Sequence, residues 1–477
     1  MMATNVNDQP AMVCHVVAMP YPGGSHIYAL MNLCKEICSR VKFDILITFV
    51  VTEEWFGLIG SDSKPDNIQF DTIPNVVPSE HVRANQFVAF VEAVATKLED
   101  PFEKLLNRLH GPPVTAIITD TLMAWPIHVG NRRNIPVASV WALPISMFSL
   151  YYHFDLLNRN GHYPIELSDP DNIIIDYIPG ISPCRLADLS GRILHTNGKR
   201  ALQLLVKAVS QVPKAKYLLT TSVYELEPLV FDALKPKFPF PIYPFGPISC
   251  IKPQFQLENT NISTTTTTTV PEYIQWLDSQ PVGSVLYISF GTYLSVSDTQ
   301  LDEIVAGVRS SGIRYMLVTR ESASKIKDGC GNEGFVVPWC DQLRVLGHPS
   351  VGGFLTHCGW NSIMEAIFAG VLMLTIPIVG DQYHNSMRIV EEWKIGYKVN
   401  KDLIFEGNQQ IQSLTGREEI SELVKKFMDP ENNDRKLMRE RVEKLQKSCQ
   451  LAVTKGGSSD SNLDAFIRGI SQDVSHN

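Results

Sequence analysis

Short apolar runs that alternate with amphipathic stretches restrict how this chain folds more than any other feature. The runs that precede residue 238 cover residues 12–19, 43–51, 114–119, 136–141 and 217–221. Most are separated by segments in which apolar residues recur at helical spacing. Because continuous apolar strands joined through helices are buried on both faces, the pattern predicts an α/β fold with a parallel sheet between two layers of helices.

A proline-rich and threonine-rich segment interrupts this pattern, which then resumes. Residues 238–253 read FPFPIYPFGPISCIKP, and six consecutive threonines follow at 264–269. This composition is typical of a linker. The later apolar runs cover residues 284–290, 314–319, 334–338, 351–356 and 371–376. The chain is therefore predicted to form two doubly wound domains.

Composition and charge exclude several classes of protein. The chain has 477 residues, of which 44% are hydrophobic, and a formal net charge of -8. That charge disfavours nucleic acid or an anionic membrane as a partner. No apolar run reaches the length of about 18 residues that predicts a membrane span. The nine cysteines lack the dense spacing of a secreted disulfide scaffold, so we expect a cytoplasmic protein with reduced thiols. We also expect a monomer.

Two motifs carry no function in this interpretation. Residues 329–334, GCGNEG, match the dinucleotide pattern G-x-G-x-x-G, but a charged segment precedes them where a strand is required. Five histidines and cysteines of the second half could ligate a metal, but they do not have the spacing of a zinc site. These residues are His348, His357, His384, Cys340 and Cys358. We therefore predict neither a dinucleotide site nor a metal site.

Residues 356–362, THCGWNS, have the composition of a strand end, a turn and a helix start. We predict a helix capped by Asn361 or Ser362, since both residue types favour that position. A helix start presents unpaired backbone N–H groups and about half a positive charge, which suits a phosphate. The segment is thus a candidate anion site.

Two side chains extend this candidate site. His357 follows the strand directly and is able to donate a hydrogen bond to the same anion. Glu365 lies four residues after Asn361, about 6 Å further along the same helix face, where its carboxylate would accept hydrogen bonds from ribose hydroxyls. Spacing alone leaves two interpretations open, a nucleotide diphosphate site and a capped helix with a partly exposed glutamate.

A longer segment around this motif resembles a known family. Residues 339–382, WCDQLRVLGHPSVGGFLTHCGWNSIMEAIFAGVLMLTIPIVGDQ, closely resemble the signature box of plant UDP-dependent glycosyltransferases. The resemblance continues over nearly the whole chain, including PFGPI at 244–248, WLDSQP at 276–281 and SFGT at 289–292. It implies the GT-B fold, in which two Rossmann-like domains face each other across a cleft.

The resemblance also implies how the chain is divided. Residues 1–245 would form the acceptor-binding domain and residues 272–455 the UDP-sugar-binding domain, with a linker over 246–271. Residues 456–477 would form a C-terminal helix that packs back on the first domain. The partners implied are a UDP-sugar and a small hydroxylated acceptor.

Carried over residue by residue, the resemblance implies a set of donor-binding positions. They are Thr292, Trp339, Cys340, Gln342, His357, Trp360, Asn361, Ser362, Glu365, Asp381 and Gln382. Trp339 would stack on the uracil, although a tryptophan is also a common core residue. Gln342 would lie near the ribose and the base, and Glu365 would accept from the ribose hydroxyls.

The remaining donor positions would hold the diphosphate and the sugar. His357, Asn361 and Ser362 would bind the diphosphate, together with Thr292. Trp360, Asp381 and Gln382 would face the transferred sugar, and in the family such residues accompany glucose. The resemblance therefore implies UDP-glucose as donor substrate.

A candidate general base and its partner lie in the first half. His26 follows the Pro/Gly loop of AMPYPGGSHIYAL (18–30), and the ordinary pKa of an imidazole suits proton abstraction near neutrality. Asp120 follows the apolar run 114–119, at the strand end where open α/β sheets carry functional groups. Both match the family's catalytic pair. The structural alternatives are a histidine bound to backbone and an aspartate that caps the next helix.

The implied reaction is a direct displacement with inversion at the anomeric carbon. Asp120 would accept a hydrogen bond from His26, whose other nitrogen would remove the proton of the acceptor hydroxyl. The helix start and His357 would stabilise the departing diphosphate, so neither a metal nor a further cofactor is expected.

This chain departs from the family where the acceptor would enter. It has Ser25 and then Tyr28-Ala29 where the family commonly has glycine and Asn-Pro, so the base loop is expected to have a different shape. We predict an aromatic acceptor pocket that favours a phenolic, flavonoid or terpenoid alcohol. Its candidate lining is Trp125, Phe148, Tyr151 and residues 177–189.

Two other functions remain open from the sequence. A GT-B nucleotide-sugar epimerase would convert the sugar nucleotide without any acceptor. A non-catalytic sugar-nucleotide-binding protein would bind UDP and transfer nothing.

Overall fold

The structure is a computed structural model that describes most of the chain. The described residues are 13–59, 64–83, 86–163, 173–189, 199–247, 270–291, 296–319, 333–399, 403–406, 409–412 and 415–476.

The first half of the chain is built on a seven-stranded parallel sheet. Its strands are β1 (Cys14–Met19), β2 (Ile45–Thr52), β3 (Ile68–Ile73), β4 (Val114–Asp120), β5 (Val137–Trp141), β6 (Tyr217–Thr220) and β7 (Ile242–Pro244). They lie in the order β3-β2-β1-β4-β5-β6-β7. The order reverses between β1 and β4, so the loops that follow these two strands leave to opposite faces of the sheet and open a crevice.

The second half repeats this architecture with six parallel strands. They are β8 (Val285–Ser289), β9 (Arg314–Val318), β10 (Gly334–Val337), β11 (Val351–Thr356), β12 (Met373–Thr375) and β13 (Gly396–Lys398). They lie in the order β10-β9-β8-β11-β12-β13, which reverses between β8 and β11. Two doubly wound α/β units are thus present, as the sequence predicts. Two short antiparallel pairs lie outside these sheets, Ile174–Ile175 with Cys184–Arg185 and Leu403–Glu406 with Gln409–Gln412.

Helices cover both sheets. The α-helices of the described ranges are α1 (Gly24–Arg40), α2 (Glu53–Ile59), α3 (Phe87–Lys97), α4 (Glu99–Arg108), α5 (Trp125–Arg132), α6 (Ile145–Tyr152), α7 (Phe154–Arg159), α8 (Lys199–Gln211), α9 (Pro228–Leu234), α10 (Glu272–Asp278), α11 (Asp298–Ser311), α12 (Gln342–Leu346), α13 (Trp360–Ala369), α14 (Gln382–Met387), α15 (Arg417–Met428), α16 (Asn433–Val453) and α17 (Ser458–His476). Within these ranges, none of the helices combines the length and the apolar character that crossing a bilayer requires.

Central strands agree with the sequence prediction better than edge strands. The run 351–356 coincides with β11, whose residues are all buried. The prediction of a linker from residue 238 onwards is wrong at its beginning, because β7 pairs with β6 there. A proline is tolerated in β7 because this strand lies at the sheet edge, where a backbone N–H donor is not needed. The edge strands β3 and β13 were not predicted either, since β3 mixes apolar with polar residues and β13 has only three residues.

The last helix of the chain packs against the first sheet. Leu463, Phe466 and Ile470 of α17 lie in the same buried cluster as Val16 of β1. The ring of Phe466 meets that of Tyr217 edge-on, with centroids 5.3 Å apart. The C-terminal end of the chain thereby becomes part of the core of the first domain.

We expect Phe466→Ala to destabilise the first domain. Removing a fully buried phenylalanine costs about 3–5 kcal/mol through lost burial and the cavity left behind. Scanning calorimetry should show a lower unfolding temperature. Leu451→Ala is the control, because that side chain is 56% exposed on α16 and its loss should have little effect. Equal unfolding temperatures for the two variants would show that α17 does not support the core.

Candidate active site

The loop after β1 and the end of β4 bring His26 and Asp120 together. His26 lies in the first turn of α1, and Asp120 is the last residue of β4. His26 Nδ1 and Asp120 Oδ2 are 2.6 Å apart. Because a carboxylate only accepts hydrogen bonds, Nδ1 carries the proton, and Nε2 of the neutral ring has the free lone pair.

Asp120 is held in turn by the following loop. Its Oδ1 accepts a hydrogen bond from the backbone N–H of Leu122 at 2.8 Å. The aspartate therefore binds the local backbone and orients His26 at the same time. Its side chain is only 5% exposed, whereas that of His26 retains 15%, so the pair is buried on the aspartate side and accessible on the histidine side.

The candidate anion site begins earlier than the sequence predicts. Helix α13 starts at Trp360 with Gly359 as N-cap, so the prediction of Asn361 or Ser362 as the cap is wrong. Cys358 has a φ of 67°, which turns the chain into the helix two residues sooner. The N–H groups of Asn361 and Ser362 consequently belong to the first helical turn, which is the part of a helix that suits an anion.

Two glycines enclose His357 at this helix start. A Cβ atom at Gly359 would lie 2.4 Å from His357 Nε2, and one at Gly291 would lie 2.7 Å from it. Only glycine allows the backbone to approach the ring so closely. Burial lowers the pKa of His357 to about 4, in spite of a backbone hydrogen bond to Ser289 that raises it. The imidazole is thus neutral at pH 7.

Gln342 links the first turn of α12 to the face of α13. Its Nε2 donates to Ser362 Oγ at 2.9 Å and to Glu365 Oε2 at 2.8 Å. Its Oε1 accepts from the hydroxyl of Tyr287 at 3.2 Å. Ser362 and Glu365 therefore lie on one side of α13, as their spacing indicates.

Trp339 and Cys340 are neighbours in sequence but differ in environment. Trp339 is 63% exposed, so the structural alternative of a core tryptophan does not apply. Cys340 is buried against Tyr287, with Sγ and the hydroxyl oxygen 3.4 Å apart, and burial raises the pKa of its thiol to about 11. The Cys340 side chain thus belongs to the core.

Asp381 and Gln382 lie at the start of α14. Asp381 Oδ2 accepts from Asn385 Nδ2 at 2.8 Å. Burial raises the pKa of Asp381 to about 6, against this hydrogen bond and the weaker electrostatic effect of His26 across the cleft. Gln382 Oε1 accepts from the N–H groups of Ile378 and Val379 at 2.8 and 3.0 Å, which fixes the orientation of its amide.

Not every predicted position lines the cleft. Trp360 is buried, with the guanidinium of Arg388 at 5.9 Å from its ring centroid, so its indole supports the helix start from inside. Thr292 lies outside the described residues. Asn361 does reach the other domain, since its Nδ2 lies 3.5 Å from the carbonyl oxygen of Ser25.

The predicted aromatic acceptor-pocket residues are buried, although Asp381 lies near enough to Tyr151 for its carboxylate to add to the effect of burial that raises the pKa of the Tyr151 hydroxyl. Trp125 is buried beneath α3 and donates its indole N–H to the carbonyl of Val94 at 3.0 Å. Phe148 and Tyr151 are buried as well, in the core cluster around α6. Of the predicted segment 177–189, the hydroxyl of Tyr177 lies 2.7 Å from Nδ1 of His162.

An aromatic residue beside His26 escaped the sequence analysis. The ring of Tyr21 lies 5.2 Å from that of His26, centroid to centroid. Its position in the Pro/Gly loop was the available signal. Tyr28, which departs from the family's common sequence, is 50% exposed on α1.

A buried ion pair between the two domains was also missed. Arg388 Nη1 and Glu227 Oε1 are 2.8 Å apart, and both side chains are almost fully buried. Glu227 also accepts from the N–H groups of Ile145 and Ser146 at the start of α6. Such pairs join distant parts of the chain and leave no local pattern.

Comparison with known proteins places this architecture in a family. The family model described as UDP-glucoronosyl and UDP-glucosyl transferase matches residues 258–404. UDP-glycosyltransferase 87A1 of Arabidopsis thaliana is 48% identical over 458 residues, which cover 96% of this chain and 100% of the relative. The chain belongs to the plant UDP-glycosyltransferases. UDP-glycosyltransferase 87A2 of the same plant is 46% identical and covers 97% of this chain.

Solved structures show the same fold. A UDP-glucose: anthocyanidin 3-O-glucosyltransferase in complex with UDP is 26% identical, with a TM-score of 0.80 over 96% of this chain and 99% of that one. Phytolacca americana UGT2, complexed with UDP-2fluoro-glucose and pterostilbene, is 24% identical, with a TM-score of 0.77 over 96% and 99% of the two chains. The GT-B fold that the resemblance implies is confirmed for this UDP-glycosyltransferase.

We expect Gly359→Ala to weaken UDP binding to this UDP-glycosyltransferase. The added Cβ would displace the His357 ring and the first turn of α13. Losing a hydrogen bond to a charged group costs about 1.5–3 kcal/mol, or about 10- to 100-fold in affinity. Calorimetric titration with UDP measures the change.

Gly57→Ala is the matched control for this test. A Cβ at Gly57 meets no described atom within 4 Å. If Gly359→Ala binds UDP as tightly as Gly57→Ala does, the enclosure of His357 does not matter for the nucleotide.

Proposed function

We propose that this protein transfers glucose from UDP-glucose to a hydroxyl group of a small plant metabolite, with inversion at the anomeric carbon. His26 acts as general base and Asp120 orients it. The observation that carries the proposal is the 2.6 Å hydrogen bond between His26 Nδ1 and Asp120 Oδ2 at the strand ends that face the second domain. The electrostatic effect of His26 on Asp381 supports a location in the cleft between the domains.

The donor nucleotide is held by residues of the second domain. The exposed indole of Trp339 stacks on uracil, a type of contact that contributes about 1–3 kcal/mol per base where proteins bind nucleic acid. Glu365 accepts hydrogen bonds from the ribose hydroxyls, and Gln342 keeps its carboxylate in place. The diphosphate binds at the start of α13.

The sugar faces Asp381 and Gln382. The carboxylate of Asp381 accepts hydrogen bonds from sugar hydroxyls, and the amide NH2 of Gln382 donates to them because its oxygen is already bound to backbone. Trp360 contributes through its packing, since its ring is buried.

In the reaction, Nε2 of His26 takes the proton of the acceptor hydroxyl while the oxygen attacks the anomeric carbon. A new C–O bond forms on the face opposite to UDP, and the bond to the diphosphate oxygen breaks. The proton remains on the imidazolium, which Asp120 stabilises. General-base assistance of this kind contributes about 100- to 10,000-fold to the rate.

The departing UDP carries the negative charge away. The backbone N–H groups at the start of α13 are oriented before the reaction and stabilise this charge. Neutral His357 donates its one N–H to the backbone of Ser289 and supports this helix start by its packing. Because these dipoles already act on the leaving group, the proposal includes no metal ion.

The acceptor is proposed to be a small phenolic, flavonoid or terpenoid alcohol. The complex of the Phytolacca americana enzyme with pterostilbene supports a flat hydroxylated acceptor. Tyr21, whose ring lies against His26, is the aromatic residue best placed to contact it. Mass spectrometry of the purified protein with UDP-glucose and a mixed library of such alcohols identifies the product. A wild type that transfers to none of them would favour a protein that only binds the nucleotide.

We expect His26→Ala to lower kcat by about 100- to 10,000-fold, because the general base is lost. UDP affinity should stay the same, since the donor is bound by the other domain. His110→Ala, which removes an exposed histidine, is the control. Steady-state rates with one accepted alcohol and calorimetry with UDP separate the two effects, and full activity of His26→Ala would refute the proposed base.

We expect Glu365→Ala to weaken UDP binding by about 10- to 100-fold. The ribose loses a charged acceptor, a contact worth about 1.5–3 kcal/mol. Calorimetry with UDP measures this loss. Glu443→Ala serves as control, because Glu443 lies on the exposed face of α16. Equal affinity of both variants would remove Glu365 from the nucleotide site.

A further inference from the structure

We propose that Arg83 is a positioning residue for His26. The inference rests on the proposed function, since it concerns how the general base is held. Asp120 orients the imidazole through Nδ1 but does not hold the loop on which His26 is carried. That loop, residues 20–23, runs from β1 to the first turn of α1, and Arg83 packs against it.

Arg83 contacts the loop backbone directly. Its Nη1 donates to the carbonyl oxygen of Pro22 at 3.1 Å, and the same nitrogen forms an ion pair with Glu80 at 2.7 Å. Only 7% of the Arg83 surface is exposed. A buried guanidinium that donates a hydrogen bond to a loop carbonyl stabilises one conformation of that loop.

The Pro22 carbonyl that Arg83 binds is close to His26 along the chain. Pro22 precedes Gly23, the N-cap of α1, whose carbonyl oxygen accepts from the backbone N–H of His26 at 3.0 Å. A shift of the Pro22 carbonyl therefore moves the helix start that carries the base.

A second contact runs through aromatic rings. The Arg83 guanidinium lies over the ring of Phe90 at 5.3 Å, and Phe90 meets Tyr21 edge-on at 5.7 Å. Tyr21 in turn lies 5.2 Å from the His26 ring. Arg83 thus supports the loop backbone and, through two rings, one side of the imidazole.

Gly23 shows how closely Arg83 approaches the loop. Its φ of -160° is an extended conformation that any residue adopts. Yet a Cβ at this position would lie 2.7 Å from Arg83 Nη1. A side chain at this position would have to displace the Arg83 guanidinium, which makes the two residues a coupled pair.

The first experiment compares Arg83→Met and Arg83→Lys with the wild type. We expect Arg83→Met to lower kcat by about 10- to 100-fold, since a misplacement of about 1 Å at a reacting group costs up to about 100-fold. The KM for UDP-glucose should not change. Arg83→Lys should recover part of the rate, because it retains a charged donor. The control is Arg132→Met, which breaks only partly exposed ion pairs with Glu99 and Glu103.

The second experiment asks whether Arg83 acts through His26. In a His26→Ala background, Arg83→Met should cause no further loss of the residual rate. Gly23→Ala should lower kcat alone but add little to Arg83→Met, because the atom it would displace is absent. The unfolding temperature and the UDP affinity of each variant show whether it folds. If Arg83→Met does not fold, Gly23→Ala in the His26→Ala background replaces it and should likewise cause no further loss of the residual rate.

The outcomes separate the two proposals. The role of Arg83 would be overturned if the losses in kcat added fully in either double variant, Arg83→Met with His26→Ala or Arg83→Met with Gly23→Ala. It would also be overturned if Arg83→Met changed KM and not kcat. Either result would leave His26 as base. Full activity of His26→Ala alone would instead refute the proposed function, and the positioning role with it.

Discussion

The constraint on which the site depends is the reversal of strand order in each parallel sheet. Where β1 lies beside β4, and β8 beside β11, the following loops must leave to opposite faces, so the strand ends stay open between them. In the first domain this opening contains His26 and Asp120. In the second it contains His357 and the start of α13. The two halves of the candidate site are thus placed by the same topological rule, applied twice.

The two domains must also keep a fixed relative position, and a few buried polar contacts between them provide this. Arg388 of the second domain pairs with Glu227 of the first, and Nε2 of His384 lies 3.0 Å from Ser146 Oγ. Such an ion pair adds little net stability compared with apolar packing, but removing one partner costs about 3–5 kcal/mol because the other charge stays buried. Its value here is geometric, since Glu227 accepts only where the N–H groups of α6 and the guanidinium converge. Arg388 also lies over Trp393, at 4.3 Å from the ring centroid, which restricts it further.

An acidic protein that binds an anionic nucleotide must do so by local arrangement. The net charge of -8 offers no general attraction for UDP. The backbone N–H dipoles at the start of α13 act locally instead. The glycines at 291 and 359 let the backbone approach a neutral His357 closely at this helix start. Dipoles that are already oriented act on developing charge without the cost of reorganising solvent.

The sequence by itself determined the fold class, the strands at the centre of each sheet and the residue types at the strand ends. Continuous apolar runs such as 351–356 require burial on both faces, and the family motif adds the donor positions. It did not determine where α13 begins, because the positive φ of Cys358 is imposed by the packing of that turn. Nor did it separate core aromatic residues such as Trp125 from those beside His26 such as Tyr21, since both are large and aromatic. Only the tertiary structure decided these points and joined Arg83 to the base loop and Glu227 to Arg388, because contacts between residues far apart in the chain depend on how the elements pack and not on local pattern.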